Sequence, residues 1–488
     1  MPRRLLIVWA LFLVRGTFYC AMLPLWEGWD EYAHFAAVQH WADHLTMPRF
    51  DDAMPREVDE SMRLAPLAYE LRWIGPPYLT HEQWWQLPAT ERSERLRLLS
   101  AMPPAWAREP ALHPFTTYQA QQPPLYYWLL AMPLRLAAGW PLLARVFLLR
   151  WLSMAIASLA IPLTWSAAAN LLGRGNALYA ATLLAIAPGF LIDTFRIAND
   201  SVAIVAAALL LLLLSTRRSS PVAAGLTLGA ALLAKAYLLA LIPALILCWW
   251  RQKKNLAIAL ALALLTGGWW YARNLLAGHT LSGWQGHPSG GILSGAFHID
   301  WLAAANITAK TFIWWGAWSF LTLKSWIYVL FEAIAAVGAV LASRRWRELK
   351  IPLIFAGFYL IQMAYGTLLF WKAEGVANLP GWYMWPVGGA FAMILAAGLK
   401  RATLVLIGLL ALLDLYGVIA VMMPYYAGLA TRGHVDARLF PEALQRLHTS
   451  LPLAALWILA TIAIPLIAGW PGPDKPLRNP HRTPLEKA

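Results

Sequence analysis

Residues 123–139 read Pro-Pro-Leu-Tyr-Tyr-Trp-Leu-Leu-Ala-Met-Pro-Leu-Arg-Leu-Ala-Ala-Gly, and whether this run crosses a membrane decides the side on which every later loop lies. Apolar runs near the bilayer-spanning length of about 17–25 residues occur around 5–25, 145–168, 176–195, 200–215, 221–235, 237–250, 255–272, 325–343, 351–371, 381–399, 402–424 and 451–470. If 123–139 crossed as well, Arg217-Arg218, the Arg251-Lys253-Lys254 cluster and Arg344-Arg345-Arg347-Lys350 would all face outward, against the positive-inside rule. Read as a re-entrant or interfacial helix on the outer side, with Trp128 and Arg135 at the interface, it places those clusters, Lys400-Arg401 and the basic tail inside. The expectation is an all-α, polytopic integral membrane protein of about twelve transmembrane helices, with both termini cytoplasmic.

Composition supports that class. Of 488 residues 60% are hydrophobic and 13% charged, with a mean hydropathy of +0.53, values of a chain solvated mainly by lipid. The formal charge of +14 comes in short clusters between apolar runs, which fits a lipid bilayer and phosphate-bearing substrates and excludes nucleic acid as the expected partner. Cys20 and Cys248 fall near opposite membrane faces and indicate no disulfide. Met-Pro-Arg-Arg ahead of 5–25 resembles a signal peptide, but the run is long enough to span and no small-residue cleavage site follows, so a retained first helix is expected.

On the outer side the reading leaves loops at about 26–144, 273–324 and 425–450. Phe35, Val38, Trp41, Ala42 and Leu45 recur at helical spacing opposite Gln39, His40, Asp43 and His44, predicting an amphipathic helix resting on the membrane. No inverted repeat and no low-complexity stretch is evident.

Several short motifs carry a resemblance. Asp-Glu-Tyr-Ala-His-Phe at 30–35, Gln-Gln-Pro-Pro-Leu-Tyr-Tyr-Trp at 121–128, Arg150 in a following span, Ala-Asn-Asp at 198–200, Leu-Ala-Lys at 233–235 and Trp-Trp-Tyr-Ala-Arg-Asn at 269–274 occur in an order that resembles the GT-C fold glycosyltransferases. The branch they look most like is that of the protein O-mannosyltransferases and aminoarabinose transferases. The similarity covers about the first two-thirds of the chain. Pro-Gly-Trp-Tyr-Met-Trp-Pro at 380–386 stands where some relatives carry a Gly-Arg-Tyr pattern. The resemblance implies a catalytic membrane domain over 1–424, an outer loop and last helix over 425–470, and a basic, disordered cytoplasmic tail over 471–488. It also implies transfer of a sugar, inverting in the family's manner, from a polyprenyl-phosphate donor to a lipid, glycan or protein acceptor at the outer face of a cell inner membrane.

Such transfer needs a base for the acceptor, cations for the departing phosphate and a groove that admits lipid. Asp30 is the candidate base, with Glu31 beside it and Asp200 as a second carboxylate; Asp193 is its rival. Asp30 and Asp200 also suit helix N-caps, and Glu31 suits the positive end of a helix dipole. Lys235, at the tip of an apolar hairpin, is the candidate phosphate ligand, followed by Arg150 and Arg273; snorkelling is the alternative for Lys235. His34 could orient the acceptor, and Gln122 and Tyr126 are carried over from the aromatic motif as substrate contacts. Histidines 279, 287 and 298 lack metal-ligand spacing, so no metal site is expected, although a divalent cation, Mg or Mn, bridging phosphate and carboxylate is compatible with the chemistry. Arg15 and Asp414 lie about 15 and 18 Å deep by helical rise, which predicts an ion pair between helices rather than a proton relay. A transporter, a lipid flippase or a non-catalytic subunit of envelope glycan assembly are the competing classes.

Overall fold

The computed structural model describes residues 1–113, 115–216, 219–277, 280–283, 292–377 and 379–470. The expected tail over 471–488, Arg217-Arg218 and the histidines at 279 and 287 lie outside them. The described residues are helical, with β-structure limited to isolated bridges. The principal helices are α1 (Arg3–Met22), α2 (Glu31–His44), α3 (Leu125–Leu136), α4 (Leu142–Ser158), α5 (Arg174–Ile186), α6 (Pro188–Thr194), α7 (Asp200–Leu214), α8 (Pro221–Ala234), α9 (Ser325–Ala342), α10 (Lys350–Glu374), α11 (Gly388–Leu399), α12 (Thr403–Tyr416) and α13 (Leu451–Gly469).

The chain is a multi-pass membrane protein, although its spans are less uniform than the hydropathy pattern suggests. Among the described residues seven helices are long and apolar enough to cross a bilayer, or eight if a bent pair counts as one span. That pair is α5 and α6, which meet at 58° where Pro188 supplies no backbone N–H to continue the ladder. The expected spans at 200–215, 221–235 and 237–250 are shorter apolar helices of 10–17 residues. The pair at 381–399 and 402–424 is one apolar run of 46 residues, Gly381–Tyr426, about 69 Å if straight. Lys400 breaks it with a left-handed backbone, φ 52°.

Arg15 and Asp414 form the intramembrane pair, 3.1 Å apart with neither side chain exposed. Tyr19 Oη donates to Asp414 Oδ1 at 2.6 Å, and Trp457 and Thr461 of α13 donate to Oδ2 at 3.0 and 3.3 Å. The Arg15 guanidinium donates in turn to the carbonyls of Ala185 and Ile186. Those two end α5, where helix carbonyls lose their intrahelical donors. One arginine therefore satisfies a carboxylate and a helix terminus that would otherwise be orphaned in lipid.

Outside the membrane the first loop folds back over α2. This corrects the expectation of an amphipathic helix on lipid: residues Glu31 to Gln39 are all buried. Gln39, on the expected polar face, accepts from Arg145, and Arg145 pairs with Glu57 of the loop. The one-sided pattern belongs to α3, at 12 residues too short to span a bilayer. It exposes Leu129, Met132 and Leu136 and buries Tyr126, Tyr127, Leu130 and Leu134. Glu27 anchors the loop: its carboxylate accepts from the Ser319 N–H at 2.7 Å and from Tyr426 Oη at 2.9 Å, and meets His81 Nε2 at 3.1 Å.

Candidate active site

The turn between α1 and α2 positions Asp30. Gly28 is needed there, because a Cβ would sit 2.6 Å from Arg196 Cβ. Asp30 itself has φ 54° and makes no side-chain cap bond to α2, which overturns the N-cap alternative. Its carboxylate turns away and accepts from Tyr118 Oη at 2.6 Å. Asp30 lines a cavity of about 550 Å³ walled by Trp29, Tyr32, Trp73, Tyr118 and Trp318. Burial raises its pKa above the ordinary carboxylate range, although the Tyr118 hydrogen bond and the charges of Arg196 and Lys235 pull the other way. Burial and the Asp30 charge push the Tyr118 hydroxyl well above its usual value, so it stays a donor.

Behind this turn lies a buried charge cluster built on Arg196. Its Nη2 donates to Asp193 Oδ1 and to Asp200 Oδ2, both at 2.7 Å, and its Nη1 donates to the Trp29 carbonyl at 3.1 Å. Asp200 also accepts from Lys235 Nζ at 2.6 Å and, through its other oxygen, from Tyr237 Oη. Asp193 and Asp200 are thus partners of one arginine rather than rivals. Asp193 Oδ2 and Asn199 Oδ1 are buried with no hydrogen-bond partner among the described residues. Lys235 ends α8 and is buried, 5.0 and 5.4 Å from the rings of Tyr237 and Tyr383, so it does not snorkel.

Donor accounting separates the cations. All five guanidinium N–H groups of Arg150 are occupied: Nε and one Nη2 hydrogen by Glu31, the others by the carbonyls of Cys20, Leu23 and Pro24. Glu31 accepts in addition from the Ile197 N–H. The Arg150–Glu31 pair therefore locks α1, α2, α4 and the segment after α6 together, and this corrects the assignment of Arg150 to phosphate and of Glu31 to chemistry. Among the described residues Lys235 keeps two ammonium hydrogens beyond the one given to Asp200.

The remaining candidates divide. His34 Nδ1 lies 2.9 Å from Tyr127 Oη, and its ring stacks on that tyrosine. Burial, reinforced by Lys235 and Arg196, lowers its pKa well below the usual value, which leaves a neutral imidazole. Gln122 accepts from Asn199 Nδ2, which also donates to the Ala234 carbonyl, so it braces the approach to Lys235. Tyr126 is fully buried against Ser153, 2.8 Å away, and offers no face to a lipid chain, a correction to its reading as a substrate contact. Arg273 is exposed, over the Trp270 ring at 4.9 Å, and among the described residues it has no contact with the Asp200 cluster.

Arg196, Tyr118 and Tyr237 were missed in the sequence. Arg196 had a signal, since Asp193, Arg196 and Asp200 are spaced three and four apart, the reach of neighbouring turns. Among the described residues no group of three or more His, Cys, Asp or Glu side chains is placed to hold a metal. Asp200, already paired with two cations, is a poor ligand for a divalent ion.

No protein-family model and no curated protein matches the chain. Among solved structures it is similar to ArnT from Cupriavidus metallidurans bound to undecaprenyl phosphate, at 14% identity and a TM-score of 0.49, covering 95% of this chain and 76% of that one. The same protein in the apo state gives a TM-score of 0.44 at 14% identity, over 88% of this chain and 74% of that one. The archaeal oligosaccharyltransferase AglB from Archaeoglobus fulgidus, in complex with an inhibitory peptide and a dolichol-phosphate, is similar at 11% identity and a TM-score of 0.42, over 95% of this chain and 56% of that one.

Proposed function

We propose that this chain is an inverting membrane glycosyltransferase that moves a sugar from a polyprenyl-phosphate donor to a lipid, glycan or protein acceptor at the outer face of a cell inner membrane. The observation that carries this reading is the position of Asp30: a carboxylate not used as a cap, opening on an aromatic-walled cavity and within electrostatic reach of Arg196 and Lys235. The acceptor enters from the cavity. As its nucleophilic atom attacks the anomeric carbon, Asp30 takes the proton and the bond from that carbon to the phosphate oxygen breaks. The leaving polyprenyl phosphate keeps the electron pair, and the two free hydrogens of Lys235 hold its oxygens. Asp200 orients the lysine, and the Glu31–Arg150 pair holds the Asp30 turn.

The test is an assay of the purified protein against a panel of polyprenyl-phosphate sugars with an acceptor-containing lipid extract, reading released polyprenyl phosphate. Release from at least one donor, dependent on acceptor, is expected. Binding of donor without release from any would favour a carrier or a non-catalytic subunit instead.

A further inference from the structure

The opposite end of the bundle carries a second cavity, of about 680 Å³, where three chain reversals meet. Arg174 opens α5, Arg345 follows α9, and Lys400 and Arg401 lie between α11 and α12. All four line the cavity, with Leu172 and Tyr179 among its remaining residues and no carboxylate. From here α5 leads through α6 to Asp193 and Arg196, while α11 begins just after Tyr383, which faces Lys235. At lengths of about 18–20 Å, these helices separate the cavity from the Asp30 site by much of a bilayer.

We infer that this cavity binds the phosphate of an anionic membrane lipid. Positive-inside charges ordinarily lie on separate solvated loops; here four from three turns ring one concavity. Arg345 is bonded to Glu348, while Arg174, Lys400 and Arg401 form no salt bridge among the described residues. Lys400 adopts φ 52°, ψ −122°, a backbone most easily supplied by glycine, yet the position carries an ammonium. A lipid rather than a free anion fits the surroundings: Leu172 and Leu399 line the cavity, and Val405, in the following turns of α12, is exposed, so an acyl chain can continue along apolar helix surface. Basic pockets between transmembrane helices recognise anionic headgroups in this way.

Native mass spectrometry of the full-length protein in detergent tests the inference, with palmitoyl-oleoyl phosphatidylglycerol, the matching phosphatidylcholine or inorganic phosphate as probe. The wild type should retain phosphatidylglycerol in preference to phosphatidylcholine. Arg174→Gln/Arg401→Gln should bind it about thirtyfold more weakly. Lys253→Gln/Lys254→Gln, an equal charge change at an exposed cluster that does not line the cavity, should match the wild type. Lys400→Gly, which supplies this positive-φ backbone without strain, should weaken retention without lowering the thermal unfolding midpoint. Equal retention by the cavity and control variants would overturn the site, and binding of inorganic phosphate without lipid preference would overturn the lipid assignment.

Discussion

At the scale of single residues, the two acidic neighbours at 30 and 31 have opposite fates, and the difference follows from their partners. Glu31 is held by a guanidinium and backbone N–H groups in a fully buried site, whereas Asp30 meets one phenol and a cavity. Their variants should behave differently. Arg150→Met leaves Glu31 buried and unpaired, and is expected to cost about 3–5 kcal/mol of stability, read as a lowered thermal midpoint with donor KM unchanged in the folded fraction. Lys235→Gln keeps Arg196 on Asp200 and removes a charge-assisted contact worth roughly 1.5–3 kcal/mol, so a raised donor KM is the expected result. A stability loss with normal donor dependence would make Lys235 structural. The pH profile carries a sign as well. A base must be deprotonated, so kcat/KM should rise with pH along a limb above the ordinary aspartate range, because burial raises the Asp30 pKa. Tyr118→Phe removes a hydrogen bond that favours the carboxylate and should move that limb to higher pH; a limb unmoved by Tyr118→Phe would separate Asp30 from the titration.

Among elements, the bend between α5 and α6 shows how the membrane region was only partly legible. Hydropathy located the apolar runs because lipid demands them, and it located the charges of Arg15 and Asp414 because charges in such runs need partners. It did not reveal that Pro188 breaks a span or that Arg15 also serves the carbonyls exposed by the break, since those depend on tertiary approach. Burial of α2 was hidden for a similar reason: its helical periodicity is real, but the loop covering the polar face is supplied by residues far away in sequence. Arg196, by contrast, could have been read from its spacing to two aspartates, and was not. The buried pair predicts a specific non-additivity. Asp414→Leu alone strands Arg15 and should lower the unfolding midpoint sharply, while Arg15→Met/Asp414→Leu should recover part of the loss. A double variant no better than the single would assign the stability to the hydrogen bonds of Arg15 with α5.

For the whole molecule, the reading requires the Asp30 cavity and the second cavity to open on opposite sides of one bilayer. Trp140 is exposed near the end of α3, and Lys254 is exposed at the other end of the bundle. In whole cells a thiol reagent that cannot cross membranes should label Trp140→Cys directly and Lys254→Cys only after permeabilisation; the reverse pattern would invert the topology. The central claim rests on Asp30, and Asn tests it fairly, being nearly isosteric and among the residues that tolerate φ near +54°. The decisive measurement is polyprenyl phosphate released per enzyme by purified wild type and Asp30→Asn at matched, saturating donor. The account predicts loss of release in the variant with unfolding and donor binding preserved, and near-normal turnover by a folded Asp30→Asn protein would contradict it.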